Sequence, residues 1–413
     1  MKIRISVIGF LLISLLACQR EKAKPISKVY SNYLENLVGF FEEHAWDAER
    51  KVYLSEIDIA GKSMSNRVYN VAHSRMIYGL ALASDYYEGN LERASELVQF
   101  QWKHLVNMEE GYFYPMVDED NAHEPQIAWD VWQQAYGLCG LSEYYRKTGD
   151  AALLKKIHVM HDGFINRFHD EKNGGFWAIV DREGGVKGSK TLQSLMYPVT
   201  AYMGNLWQAD VAHAASYEPY IRENLEIAAQ SAWNAKTNWV NFKFDDAWNP
   251  CLLVDEENLC FTVSPGHNFQ LASLFLRAKY FSFLEKETIG HYEELGRAIL
   301  KATLAKPIYP EGNLANGFYS KVNPLTNEVL DDRKTWWQHA EAILALSLAG
   351  KEFEKERLLL ESFFFNHFAD TGRGGEYFYV TAENAPVIEE WKGSVGKSIY
   401  HSVEMIRFLM EQN

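Results

Sequence analysis

Apolar residues recur at intervals of three and four along most of this 413-residue chain, and they do so in two grades. Residues 75–87, 131–145, 191–209, 268–284, 336–348 and 399–410 are apolar on most faces of a helix. Residues 91–105, 151–168 and 220–235 are more charged, with one apolar and one polar face. The two grades alternate. Two concentric layers of helices produce that alternation, because an inner helix is covered on more sides than an outer one.

A repeat points the same way. Gly111-Tyr112-Phe113-Tyr114 returns as Gly174-Gly175-Phe176-Trp177, as Gly317-Phe318-Tyr319 and as Gly374-Gly375-Glu376-Tyr377-Phe378. Each copy follows an amphipathic stretch and precedes a turn-rich piece and then an apolar helix. Glycine permits the tight turn, and the aromatics form a short extended segment. Repeated helix pairs with no Pro/Gly/Ser-rich linker predict one ring. The expected fold is all-α: an (α/α)6 toroid of about twelve helices, with short β-hairpin loops at one mouth. It occupies residues 29–413 as a single domain.

The N-terminus changes the compartment. Lys2 and Arg4 precede an apolar run over residues 5–16, interrupted by Ser6, Gly9 and Ser14. That run has the length of a secretory core and is too short to span a bilayer. It ends in Leu15-Leu16-Ala17-Cys18, which resembles the bacterial lipoprotein box. The resemblance implies cleavage of a signal peptide at residues 1–18 and a lipid on Cys18. Residues 19–28 would form a polar tether, and the protein would be exported and lipid-anchored to a bacterial membrane. No other stretch reaches the ~18 consecutive apolar residues of a membrane span.

A net charge of −14 argues against nucleic-acid partners. The 12 Trp, 23 Tyr and 23 Phe suit a sugar site, because pyranose C–H faces stack on aromatic rings; large helical cores use aromatics too. Cys139 lies in an apolar helical run. Cys251 and Cys260 flank Asp255-Glu256-Glu257-Asn258, and either a disulfide or two free thiols fits. No Cys/His spacing resembles a zinc site, so no metal is expected.

Several segments resemble, in order, signatures of the N-acylglucosamine 2-epimerase superfamily, which includes cellobiose 2-epimerases and mannose isomerases. They are Ser74-Arg75-Met76-Ile77-Tyr78, Gly111-Tyr112-Phe113 with residues 130–136 (DVWQQAY), Pro265-Gly266-His267, residues 334–341 (KTWWQHAE) and Tyr400-His401. The resemblance implies an epimerase or aldose–ketose isomerase on a mono- or oligosaccharide, with no cofactor. Such chemistry removes the proton at C2 of an open-chain sugar and returns it to the other face of C2, or to C1, through an enediolate. Two acid/base groups that titrate near neutrality suffice, with a donor or cation for the enediolate oxygens.

By the resemblance His267 and His401 are the catalytic pair. His267 opens a helix, whose dipole disfavours the imidazolium. The plain alternatives are a histidine that caps a helix start and a satisfied core histidine. Arg75 resembles the arginine that binds sugar oxygens; a structural Arg would also sit there, and either way burial predicts a partner. One of Trp336 and Trp337 should face the pocket, with Tyr114, Trp132 and Trp391 as further stacking candidates. Glu341 shares a helical face with Trp337 and either orients a catalytic histidine or pairs with Lys334. Trp391-Lys392 and Lys397 both compete for the place of the family's Lys before the second histidine.

Two departures mark this chain. Gln270 stands where the family commonly has Glu three residues after the first histidine. Gln193, Tyr197 and Thr200 stand where it tends to have Asn, His and Glu, so Tyr197 replaces a third pocket histidine. These changes leave three other readings open. One is a β-eliminating lyase on a uronate-containing oligosaccharide, with Tyr197 as base. Another is a glycoside hydrolase that draws a carboxylate pair from Asp130, Asp245, Asp246, Asp331 and Asp332. The third is a non-catalytic sugar-binding lipoprotein.

Overall fold

The computed structural model describes residues 27–411, except 88, 124–125, 184, 186–189 and 252–261. The signal peptide, Cys18, most of the tether and Cys260 fall outside the described residues. No helix among them is long and apolar enough to cross a membrane.

The two grades of helix are two layers. The inner layer contains α2 (Asn70–Ala83), α4 (Val131–Thr148), the pair α6 (Leu192–Tyr197) and α7 (Gly204–Ala209), α9 (Pro265–Leu276), α11 (Trp336–Ala349) and α13 (Tyr400–Glu411). A π-helical turn, Pro198–Met203, joins α6 and α7 into one rod. The outer layer contains α1 (Lys28–His44), α3 (Asn90–Phe100), α5 (Ala151–Phe168), α8 (Ala214–Ile227), α10 (Lys286–Leu304) and α12 (Glu354–His367). Around the inner ring α2 packs on α4, α4 on the α6–α7 rod, α6 on α9, α9 on α11, α11 on α13, and α13 back on α2. That closed ring with its outer partners is the (α/α)6 toroid. All fourteen residues of α2 are buried, whereas α10 shows water one face.

Each outer helix leads through a tight hairpin toward the next inner helix, so all six hairpins lie at one mouth. They share a local code. Asp47, Asn107, Asp170, Asn234, Asn313 and Asp370 each accept, on the side-chain oxygen, the backbone amide two residues on. That is an Asx turn. Four residues after each stands a left-handed residue: Lys51, Gly111, Gly174, Asn238, Gly317 and Gly374, with φ between 55° and 82°. Glycine marks only four of the six, and so the repeats at Lys51 and Asn238 do not show in a search for Gly-aromatic runs. The strand pairs are short and antiparallel, as in Val106↔Phe113 and Trp233↔Val240.

Inner helices pin these hairpins from their fourth residue. Gln134 accepts from Phe113 N and donates to Phe113 O, both at 2.8 Å. Asn268 accepts from Val240 N at 3.0 Å, and His339 Nε2 accepts from Phe318 N at 3.1 Å. Lower in the ring, the buried Glu404 of α13 accepts from Tyr78 of α2 and from Arg277 beyond α9, the latter at 2.9 Å.

The tightest approach in the ring yields a contrast in stability. A Cβ at Gly140 of α4 would collide with the Ser74 carbonyl of α2, while one at Gly39 of α1 would meet nothing within 4 Å. Gly140→Ala should lower the unfolding free energy by about 1–3 kcal/mol through overpacking. Gly39→Ala should raise it by up to about 1 kcal/mol through helix propensity. Urea denaturation of the two variants against the parent checks both signs.

Candidate active site

The inner helices point their N-terminal ends at the hairpin mouth, and a cavity of about 230 Å3 opens there. Arg75, Trp132, Gln193, Tyr197, His267 and Gln270 line one part of it. Trp336, Trp337, Phe378, Ser394, Gly396, Lys397 and His401 line the rest. Helix α9 buries every residue except His267, and α11 every residue except Trp337. These two less covered positions face the cavity, as do the buried Gln270 and Trp336 of the same helices.

The two imidazoles flank Trp337. Its ring centroid lies 5.4 Å from that of His267 and 6.1 Å from that of His401. His401 places Nδ1 2.8 Å from Glu341 Oε1. A carboxylate can only accept, so Nδ1 carries the proton and Nε2 is the free base. Burial pulls the His401 pKa below its ordinary value, and the Glu341 contact opposes that shift. Burial takes His267 down to about 4, again against Glu341. Both rings are therefore neutral at pH 7, and the helix N-terminal dipoles favour the same state.

Arg75 departs from expectation. It is buried, yet no carboxylate among the described residues forms an ion pair with it. Its Nη1 donates to Gly396 O at 2.6 Å, and its guanidinium lies 3.9 Å from the Tyr136 ring centroid and 5.1 Å from that of Tyr400. The Arg75 Nε is buried without a hydrogen-bond partner. A carbonyl and aromatic faces hold the charge, which stays available to an oxygen-rich ligand. The Gln270 Oε1 and Trp336 Nε1 are likewise buried and unpartnered in this wall.

The competition between lysines resolves in space. Lys392 is buried against Asp370 and Gly374 O, away from the cavity. Lys397 lines the cavity, with its Nζ 3.8 Å from the Trp336 ring and 3.1 Å from Glu376 Oε1. Burial lowers its pKa to about 8 in spite of that carboxylate. Glu376 also accepts from Tyr33 at 2.7 Å and from Ser402 at 2.8 Å, and these contacts lock it behind the site.

Other candidates move. Tyr114 stacks on His123 at 3.4 Å and does not line the cavity, because its hairpin turns it toward the loop beyond. Trp391 sits next to Lys392, is half-buried and does not line the cavity either. Both tryptophans at the head of α11 face the cavity, where one was expected. Glu341 lies behind His401 and does not pair with Lys334, which donates to Ala382 O and Asn384. Tyr197 does line the cavity, but burial holds its phenol far above the ordinary range, so it is a donor and no base. Asp130 caps α4, Asp245 caps its own turn, Asp331 pairs with Arg333, and Asp246 and Asp332 are exposed. None of these carboxylates reaches the cavity. Trp132, one of the stacking candidates, does line the cavity, and Phe378, Ser394, Gly396 and Lys397 complete the lining. Lys397 competed for the family's lysine and Phe378 belongs to the glycine-aromatic repeat; Ser394 and Gly396 carried no sequence signal.

The sequence profile of the N-acylglucosamine 2-epimerase (GlcNAc 2-epimerase) family matches residues 53–405. A cellobiose 2-epimerase of Dictyoglomus turgidum is 25% identical over 325 residues, 72% of this chain and 76% of that protein. The crystal structure of a sugar epimerase from a ruminal bacterium superposes with a TM-score of 0.80 at 19% identity, covering 93% of this chain and 99% of that one. A D-mannose isomerase superposes at 0.77 and 19% identity, covering 94% and 98%. These superpositions carry the fold.

Burial of neutral imidazoles sets an acid limit. Burial takes His73, His161 and His267 down to about 4 and His339 to about 3. Unfolded, each returns to ~6.5 and binds a proton that the folded form refuses. Their stability contribution is thus complete above ~6.5 and is lost as pH falls toward the folded values. The loss is up to about 1.4 kcal/mol per pH unit for each group. Urea titrations from about pH 7 down to about pH 5 should show the unfolding free energy falling; a flat profile contradicts neutral burial.

Proposed function

The chain belongs to the N-acylglucosamine 2-epimerase family and is a sugar epimerase or isomerase; we propose that it acts at C2 of an open-chain reducing sugar with His267 and His401 as the two acid/base groups. The observation that carries this reading is their convergence: two neutral imidazoles from α9 and α13 open into one cavity that also holds a guanidinium with no carboxylate partner among the described residues.

The roles follow from position. One imidazole takes the proton from C2. The enediolate oxygens that result gain charge, and Arg75 supplies a cation already desolvated in the wall. The other imidazole returns a proton, to the opposite face of C2 for an epimer or to C1 for a ketose. Glu341 is a positioning residue that holds the His401 tautomer with Nε2 free. Trp336, Trp337 and Trp132 offer faces for sugar stacking. Gln270 can orient His267 but cannot raise its basicity as a carboxylate would, and Tyr197 contributes a hydroxyl donor.

The leader supports export with a lipid on Cys18, which would place this cavity outside the cytoplasm on a short tether. Replacement of Cys18 by Ser should move the protein from the membrane fraction to the soluble fraction and abolish palmitate labelling.

Incubation with a panel of reducing mono- and disaccharides in D2O, read by NMR, should show deuterium at C2 of an epimer or at C1 of a ketose. His267→Ala and His401→Ala should each cut kcat by about 10²–10⁴-fold while the fold persists by circular dichroism. Glu341→Gln removes the group that raises the His401 pKa, so the acidic limb of the kcat/KM profile should move to lower pH. Full activity in either histidine variant, or exchange without product, sinks the assignment.

A further inference from the structure

We propose that His158, Asp210 and His213 form a binding site for a zinc-type divalent metal ion on the outer wall of the ring, away from the sugar cavity. Three separate elements supply the ligands. His158 projects from α5, Asp210 ends α7, and His213 sits at the head of α8. His158 Nε2 lies 2.6 Å from Asp210 Oδ2, and His213 Nδ1 lies 2.9 Å from Asp210 Oδ1. The two imidazole rings are 4.6 Å apart between centroids, and all candidate ligand atoms lie within 4.8 Å of one another. It is the one such cluster among the described residues.

The donor set selects the kind of ion. Two imidazole nitrogens and one carboxylate oxygen suit zinc and its neighbours, whereas magnesium and calcium prefer oxygen alone. Three protein ligands leave a fourth position, and the side of His213, 55% exposed, opens it to water. Asp210 is prepared for the role. Its side chain is 2% exposed, and its carboxylate also accepts from the Tyr217 hydroxyl at 2.9 Å. That contact fixes its orientation as an outer partner does in established metal sites. A turn also holds Asp210 and His213 together, through His213 N to Asp210 O at 3.0 Å. Ligands this dispersed leave no spacing motif in the sequence. Nor do the three side chains serve the sugar cavity, whose wall they do not join. A bound ion would staple α5 to the α7–α8 connection, and thereby brace the rod that carries Tyr197.

The test uses the full chain, without a histidine tag and freed of metal by a chelator that is then removed. Titration with zinc chloride in a calorimeter should give one ion per chain in the micromolar range. Cobalt(II) should give the intense visible absorption of a four-coordinate site. His158→Gln and His213→Gln should each weaken zinc at least tenfold while the circular dichroism spectrum stays unchanged. At zinc about 100-fold above its Kd, the unfolding equilibrium constant should drop about 100-fold in the parent chain. In either variant it should drop by no more than about tenfold. No saturable binding, or binding unchanged by both substitutions, overturns the proposal and leaves the cluster as hydrogen bonds that cap a turn. Because the readouts are binding and stability, the result is independent of whether the sugar chemistry is correct.

Discussion

A helix enclosed by neighbours on every side has one route to solvent, its end, and that constraint organises this molecule. The inner ring seals its helices along their length, so α2 has no exposed residue at all. The cavity that holds His267 and His401 opens where the helices begin. The same ends carry unsatisfied amide groups and the positive pole of the helix dipole. A cavity built there is lined by side chains from several helices at once. It also has an electrostatic bias toward neutral imidazoles and toward oxygen-rich ligands.

Sealing a helix also raises the problem of polar groups. The hairpins at the mouth present backbone amides to the ring interior, and an unpaired one there costs about 1–3 kcal/mol. Gln134, Asn268 and His339, each in the fourth position of its helix, meet that need with their side chains. His339 shows how one residue type serves two ends. Both its nitrogens are committed, to Phe318 N and to Thr335 O, so it has no free lone pair for chemistry. His401 commits one nitrogen to Glu341 and leaves the other to the cavity. Between these two buried rings, partner count and an opening to the cavity set them apart, not burial.

The site balances charge in an uneven way. Lys397 and Glu376 neutralise each other within the wall, and Glu341 sits behind His401. Arg75 receives a carbonyl and ring faces instead of a carboxylate. An ion pair would satisfy the guanidinium but would also weaken its pull on charge that develops in a substrate. With Gln at 270 and a phenol at 197, this cavity has fewer titrating groups than the family pattern implies. On the proposed reading, the burden of proton transfer then falls on the two imidazoles.

The sequence alone determined the layered ring, because enclosure on all sides and enclosure on one side leave different periodic patterns. Short runs that resemble the family's also pointed to Arg75, His267, Trp336, Trp337 and His401, which line one cavity. Two hairpins escaped notice, since Lys51 and Asn238 adopt a backbone angle that glycine usually advertises. Tertiary structure decided what no run of residues encodes. It brought Lys397 and not Lys392 to the cavity, turned Tyr114 away, and set Glu341 against His401 across sixty positions of chain. It also gathered His158, Asp210 and His213 from three elements. Periodicity reports how many sides of a helix are covered. Which side chain fills a given point in space depends on the closure of the ring, and only the folded chain has that.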